Sequence, residues 1–135
     1  MKLSSELRAE VVRRANFRCE YCLLHEADGV FPHEVDHIIS RQHGGAETPD
    51  NLAYACMVCN RYKGSNIASL SALGELIPLF NPRKDHWENH FRLSGAVIEP
   101  LDSTGEVTAR LLQLNVADRV VRRRLLQQLR KYPRG

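Results

Sequence analysis

Four cysteines fall in two pairs, Cys19-x2-Cys22 and Cys56-x2-Cys59. In a chain that opens MKLSSELRAEVV, without the apolar run of a secretory signal, two such pairs favour a bound metal over disulfides. A redox CxxC would need only one pair. Tetrahedral thiolate coordination of a structural Zn2+ is the chemistry expected of Cys19, Cys22, Cys56 and Cys59. The 33 residues between Cys22 and Cys56 exceed the spacing of a compact zinc ribbon, so they read as an insertion clamped at its base by the metal. Asp36-His37 and Asn51 lie within that insertion, and Asn60 directly follows the second pair. Carboxylate and amide oxygens are hard donors suited to Mg2+ or Mn2+, and an adjacent neutral imidazole can take a proton from water. An oxygen-rich metal corner beside one base is what hydrolysis of a phosphodiester requires. Singly, Asp36 would be a turn cap, His37 a strand histidine, Asn51 a turn residue and Asn60 a helix cap. Their joint order between two CxxC pairs is what favours catalysis.

The elements that must position these residues follow from local patterning. Ser4 or Ser5 caps a first helix running to about Ala15, with Leu7, Val11 and Ala15 four apart on one face. A turn at Asp28-Gly29 and a break at Pro32 precede a short strand over 33–39. Ser40 to Asp50, with Gly44-Gly45 and Pro49, reads as a compact loop, and Leu52 to Ala55 as the returning strand. A helix is then expected from the second pair to about Leu73, weakened at Gly64 by about 1 kcal/mol. Beyond Pro82, Asp85 caps a short helix whose Trp87 and Phe91 face one way. Segments 96–100 and 106–112 read as a hairpin joined across Asp102-Ser103-Thr104-Gly105. Asn115, with Asp118 three residues on, opens a last helix to about Lys131, on which Val116, Val120, Val121, Leu125 and Leu129 pack while the arginines face outward.

Placed on these elements, Glu34-Val35-Asp36-His37-Ile38-Ile39, His43-Gly44-Gly45, Asp50-Asn51-Leu52 and Cys56-x2-Cys59-Asn60-x2-Lys63-Gly64 form an ordered string. It resembles the HNH endonucleases of the ββα-metal, or His-Me finger, superfamily in their zinc-knuckle form, over Cys19 to Gly64. Leu79-Phe80-Asn81-Pro82-Arg83, Trp87 and His90-Phe91 are similar to an extension of bacterial and phage members. The resemblance implies an α+β fold with a ββα-metal core stapled by the four-cysteine zinc site. It also implies roles: His37 as general base, Asp36 and Asn60 as ligands of one catalytic divalent metal, and Asn51 holding the loop and orienting His37. The sequence departs from the family's name at its third letter, where Asn60 replaces histidine. A neutral amide oxygen still binds a hard cation, more weakly than a carboxylate does.

A chain of 135 residues, 43% apolar and 26% charged, suits a single globular domain: an N-terminal helix to residue 18, a clamped core over 19–75 and an extension over 76–135. No run approaches the ~18 apolar residues of a membrane span, so a cytoplasmic protein is expected. The net charge of +3 is unevenly placed. From residue 110 onward Arg110, Arg119, Arg122, Arg123, Arg124, Arg130, Lys131 and Arg134 stand against Asp118 alone, a local +7 that suggests a polyanionic partner, DNA first. Arg41, His43, Arg61, Lys63, Arg122, Arg123 and Arg124 are the candidate nucleic-acid contacts. The rival readings are a non-catalytic zinc module that binds DNA and a docking subunit of a phage or defence complex.

Overall fold

Ser4 caps α1 (Ser5–Arg14), its side chain accepting from the Leu7 amide at 3.1 Å. Val11 and Ala15, four apart, are buried against Leu52 and Tyr54. This is the first helix as the sequence predicts it, in a computed structural model that describes residues 3–134.

Strands β1 (Glu34–His37) and β2 (Leu52–Ala55) pair antiparallel, with Asp36 opposite Ala53 and His37 opposite Leu52. Alternation gives the hairpin two buried faces. Val35, Leu52 and Tyr54 pack with α1. Ala53 and Ala55 join the main core, with the four cysteines, Tyr21, Phe80, Phe91, Ile98, Leu112 and Leu114. Helix α2 (Met57–Lys63) follows, capped by the Cys56 sulfur, and completes a ββα unit.

The rest of the chain departs from its sequence reading at four places. Helix α2 stops at Lys63 instead of reaching Leu73, because Gly64 takes φ +55° and turns the chain away. The following residues form a hairpin, β3 (Ala68–Leu70) with β4 (Leu76–Pro78), closed at Gly74. Helix α3 (Trp87–His90) is capped at His86; Asp85 instead accepts from the Asn81 amide at 2.9 Å and closes a turn. Phe91 therefore lies in β5 (Phe91–Ser94), paired with β6 (Val97–Pro100) around Gly95. Asp102-Ser103-Thr104-Gly105 is not a turn between strands. Asp102 accepts from the Gly105 amide at 2.8 Å and so caps α4 (Ser103–Leu111).

The last helix, α5 (Ala117–Gln128), starts after Val116 and ends short of Lys131. Asn115 does not cap it; that side chain bonds both backbone groups of Ile98, at 2.8 and 2.7 Å. The facing of α5 agrees with expectation at Arg122 and Arg124, which are exposed, and departs from it elsewhere. Val121, Leu125 and Leu129 are exposed, whereas Arg123 is only 4% exposed. Arg123 donates to the Ala96 carbonyl at 2.7 Å and to Asn115 Oδ1 at 2.9 Å. The architecture is α+β, made of short hairpins and helices around the cysteine cluster.

Candidate active site

Two N–H···S turns shape the cysteine cluster, Cys22 N–H to Cys19 Sγ and Cys59 N–H to Cys56 Sγ, each at 3.4 Å. They bring all four sulfurs, every one buried, within 4.8 Å of one another. A tetrahedron with Zn–S bonds of about 2.3 Å needs sulfurs roughly 3.8 Å apart. Cys22 Sγ and Cys56 Sγ stand 3.7 Å apart, so the donor set fits Zn2+ in type and spacing. Hydrogen bonds from the other three sulfurs push the Cys22 thiol well below its ordinary range, whereas burial pushes Cys19 and Cys59 up. Arg119 reaches in from α5 to Cys59 Sγ at 3.2 Å and to Cys56 Sγ at 3.7 Å. A guanidinium there offsets part of the net negative charge that four thiolates leave on a zinc site.

Asp36 and His37 are neighbours in sequence, and the strand sends them to opposite faces of the hairpin. Asp36 is buried on the face towards α2. Its Oδ2 accepts from the Tyr21 hydroxyl at 2.7 Å and its Oδ1 from Lys63 Nζ at 3.2 Å. Burial raises the Asp36 pKa, outweighing the opposing pull of Lys63 and Tyr21. Asn60 stands one helical turn before Lys63, and its amide nitrogen donates to Glu34 Oε1 at 3.3 Å. Asp36 and Asn60 thus line the same β1–α2 seam. A carboxylate has about four lone-pair directions, two of which Tyr21 and Lys63 take. The Asn60 bond engages nitrogen and leaves out the oxygen, the atom a hard cation would bind. In donor chemistry the pair fits Mg2+ or Mn2+, with the Lys63 ammonium as a resident competitor.

His37 is half-buried at the other face, its Nε2 2.9 Å from Glu47 Oε1. Glu47 also pairs with Arg41. The loop carrying them is pinned by Asn51, whose Oδ1 accepts from Ile39 N–H at 2.9 Å while its Nδ2 donates to the carbonyls of Ile39 at 2.9 Å and Ala46 at 2.8 Å. Gly45 is packed so closely that an added Cβ would sit 1.6 Å from the Ile39 oxygen.

The candidate nucleic-acid contacts divide. Arg41, His43, Arg61, Arg122 and Arg124 are exposed, with Arg122 also bonding the Asp28 carbonyl. Lys63 and Arg123 are buried, which corrects their assignment to phosphates. The Lys63 ammonium is taken up by Asp36 and by the carbonyls of His37 and Ile38, at 3.3 and 3.2 Å. His33 is also buried, with Nε2 2.8 Å from the Leu24 carbonyl.

Three residues at the site escaped the sequence reading. Glu47 sits in a loop where spacing carries no signal, and Tyr21 lies between two cysteines that draw the attention. Arg119 is one arginine among several on a helix whose arginines are all expected to face outward. No helix of the described residues is long and apolar enough to cross a membrane.

Comparison with known proteins bears on this geometry. Residues 19–66 match the family model of the HNH endonucleases. Over 122 residues the chain is 25% identical to the Septu protein PtuB of Bacillus thuringiensis, covering 89% of this chain and 45% of that protein. The chain therefore spans less than half the length of that relative. No solved structure is a significant match. The stretch from the first cysteine to just past α2, with the ββα unit and both CxxC pairs, is where this chain matches the HNH endonuclease family.

Proposed function

We propose that this chain is a metal-dependent DNA endonuclease in which His37 is the general base and Asp36 and Asn60 hold one Mg2+ or Mn2+ ion. The observation that carries the reading is the setting of His37. A carboxylate can only accept, so the 2.9 Å contact with Glu47 requires the ring proton on Nε2. That leaves Nδ1 as the basic nitrogen, able to take a proton from a water attacking in line at phosphorus. Asn51 keeps the Glu47 loop in register with the end of β1, as a residue that orients the base would. When bound, the divalent ion supplies charge stabilisation at the phosphate and at the departing 3′ oxygen. The products are then a 5′-phosphate and a 3′-hydroxyl. Arg41 and His43 are exposed on the loop that carries Glu47, Arg61 on α2, and Arg122 and Arg124 on α5, and they hold backbone phosphates in a salt-sensitive manner. The zinc-bound cysteines serve the fold.

A plasmid-nicking assay with Mg2+ or Mn2+ tests the proposal. Wild type converts supercoiled DNA, and His37→Ala loses about 10²- to 10⁴-fold in rate, the usual worth of a general base. The hold of Lys63 on Asp36 favours a second reading, a zinc-stabilised DNA-binding module without catalysis. That reading prevails if zinc-loaded wild type shifts DNA on a gel and leaves plasmid intact with every metal tried.

A further inference from the structure

We infer that Tyr21 is a positioning residue for Asp36, through which the first zinc knuckle and the 79–91 extension set the carboxylate of the catalytic-metal site. The inference rests on the reading of Asp36 as a metal ligand. Tyr21 lies between Cys19 and Cys22, is 1% exposed, and donates its hydroxyl to Asp36 Oδ2 at 2.7 Å. Every part of it is held. Phe80 meets its ring edge-on, with centroids 6.3 Å apart at 84°. The Trp87 indole N–H donates to its carbonyl at 2.9 Å. Its neighbour Glu20 pairs with Arg83 and accepts from the Tyr54 amide at 2.8 Å. Phe80, Arg83 and Trp87 all belong to the extension, so that segment grips the knuckle at Glu20 and at Tyr21.

The chemical consequence concerns the rotation of the carboxylate. With Tyr21 on one oxygen and Lys63 on the other, the plane of the Asp36 carboxyl is fixed and the two carboxylate oxygens are distinguished. Without the phenol hydroxyl, the carboxylate is free to turn both oxygens to the Lys63 ammonium, which removes lone pairs from an incoming cation. Partners that orient a ligand in this way alter metal affinity by about 10- to 100-fold when lost.

The test is Mn2+ binding to the zinc-loaded full chain, followed by the electron paramagnetic resonance of free Mn2+ well below the melting temperature, in wild type, Asp36→Asn, Tyr21→Phe and Trp87→Phe. The expected result is one Mn2+ site in wild type, lost in Asp36→Asn and weakened by about 10- to 100-fold in Tyr21→Phe with four-cysteine zinc retained. A merely structural role for Tyr21 lowers the melting temperature and leaves Mn2+ affinity unchanged in the folded protein. That outcome overturns positioning while leaving the metal site standing. If wild type binds no Mn2+, or Asp36→Asn binds it equally well, the reading of Asp36 fails and takes this inference with it. Should Tyr21→Phe not retain zinc, Trp87→Phe decides: it frees the Tyr21 carbonyl and keeps the phenol, and a several-fold weakening supports the coupling, whereas an unchanged affinity overturns it.

Discussion

At Gly45 a single methyl group would meet the Ile39 carbonyl oxygen at 1.6 Å and the Asn51 amide at 2.9 Å, the two groups that pin the loop to the end of β1. Gly45→Ala is therefore expected to lose about 1–3 kcal/mol and to release Glu47 from His37, with nicking reduced along with stability. Gly44 has φ +84° and nothing within 4 Å of an added Cβ, so Gly44→Ala carries only backbone strain and keeps its nicking activity. Urea unfolding alongside the plasmid assay checks both, and normal nicking by Gly45→Ala would count against the loop's role. Glu47 gives a pH signature. Hydrogen bonds from Arg41 and then His37 hold its pKa below the ordinary value of 4.5. The native state therefore binds fewer protons there than the unfolded chain, and the contribution is complete above the unfolded value and lost as pH falls through the folded one. Glu47→Gln should be less stable than wild type near neutrality and converge with it in acid; a constant difference down to about pH 2 would exclude the effect.

At the scale of elements, the ββα unit was legible because its signals are local and do not conflict. Ser4 caps α1, the break at Pro32 and the Gly44-Gly45 loop bracket the segment that becomes β1, and each CxxC fixes its own turn. The candidate site residues fall on that unit, and their directions are not readable from sequence, since the burial of Asp36 and its Lys63 contact depend on what α2 lies against. The C-terminal half misled where one residue type serves two purposes. Asp102 caps a helix within a string that also suits a turn, and Asn115 bonds Ile98 within a string that suits a cap. On helix α5 two arginines turn inward against expectation because they find buried acceptors, the Ala96 carbonyl for Arg123 and the Leu112 and Gln113 carbonyls with two cysteine sulfurs for Arg119. Periodicity alone prices arginine as a surface residue. Arg123→Ala should consequently cost about 1–3 kcal/mol by orphaning buried acceptors, while Arg124→Ala, one residue on and exposed, stays within about 0.5 kcal/mol of wild type. Denaturation midpoints of the two variants measure the contrast, and equal midpoints would restore the outward-facing reading of Arg123.

For the molecule as a whole, the cysteine cluster is where separate parts of the chain are tied together. The insertion leaves from one knuckle and returns to the other, the extension closes on Tyr21, and α5 reaches the sulfurs through Arg119. The C-terminal segment is fastened there too, with the Tyr132 hydroxyl donating to the Cys22 carbonyl at 2.7 Å and Arg134 pairing with Asp28 at 2.9 Å. Unfolding should therefore be coupled to zinc throughout. Structural zinc contributes apparent folding energies of about 10–16 kcal/mol in small domains, as large as the whole stability of about 5–15 kcal/mol of an ordinary one. Stripping the metal with a chelator, or replacing Cys56 by serine, is expected to abolish the cooperative melt near room temperature instead of merely lowering it. The single tryptophan makes this visible at the site, because the Trp87 indole bonds the Tyr21 carbonyl inside the first knuckle. On chelation its emission should shift to the red in step with the loss of helical circular dichroism. A red shift that precedes the helical loss would mean that the extension lets go of the knuckle while α1 and the hairpin persist. Melting and emission both unchanged after metal removal would show that the four sulfurs do not hold the fold.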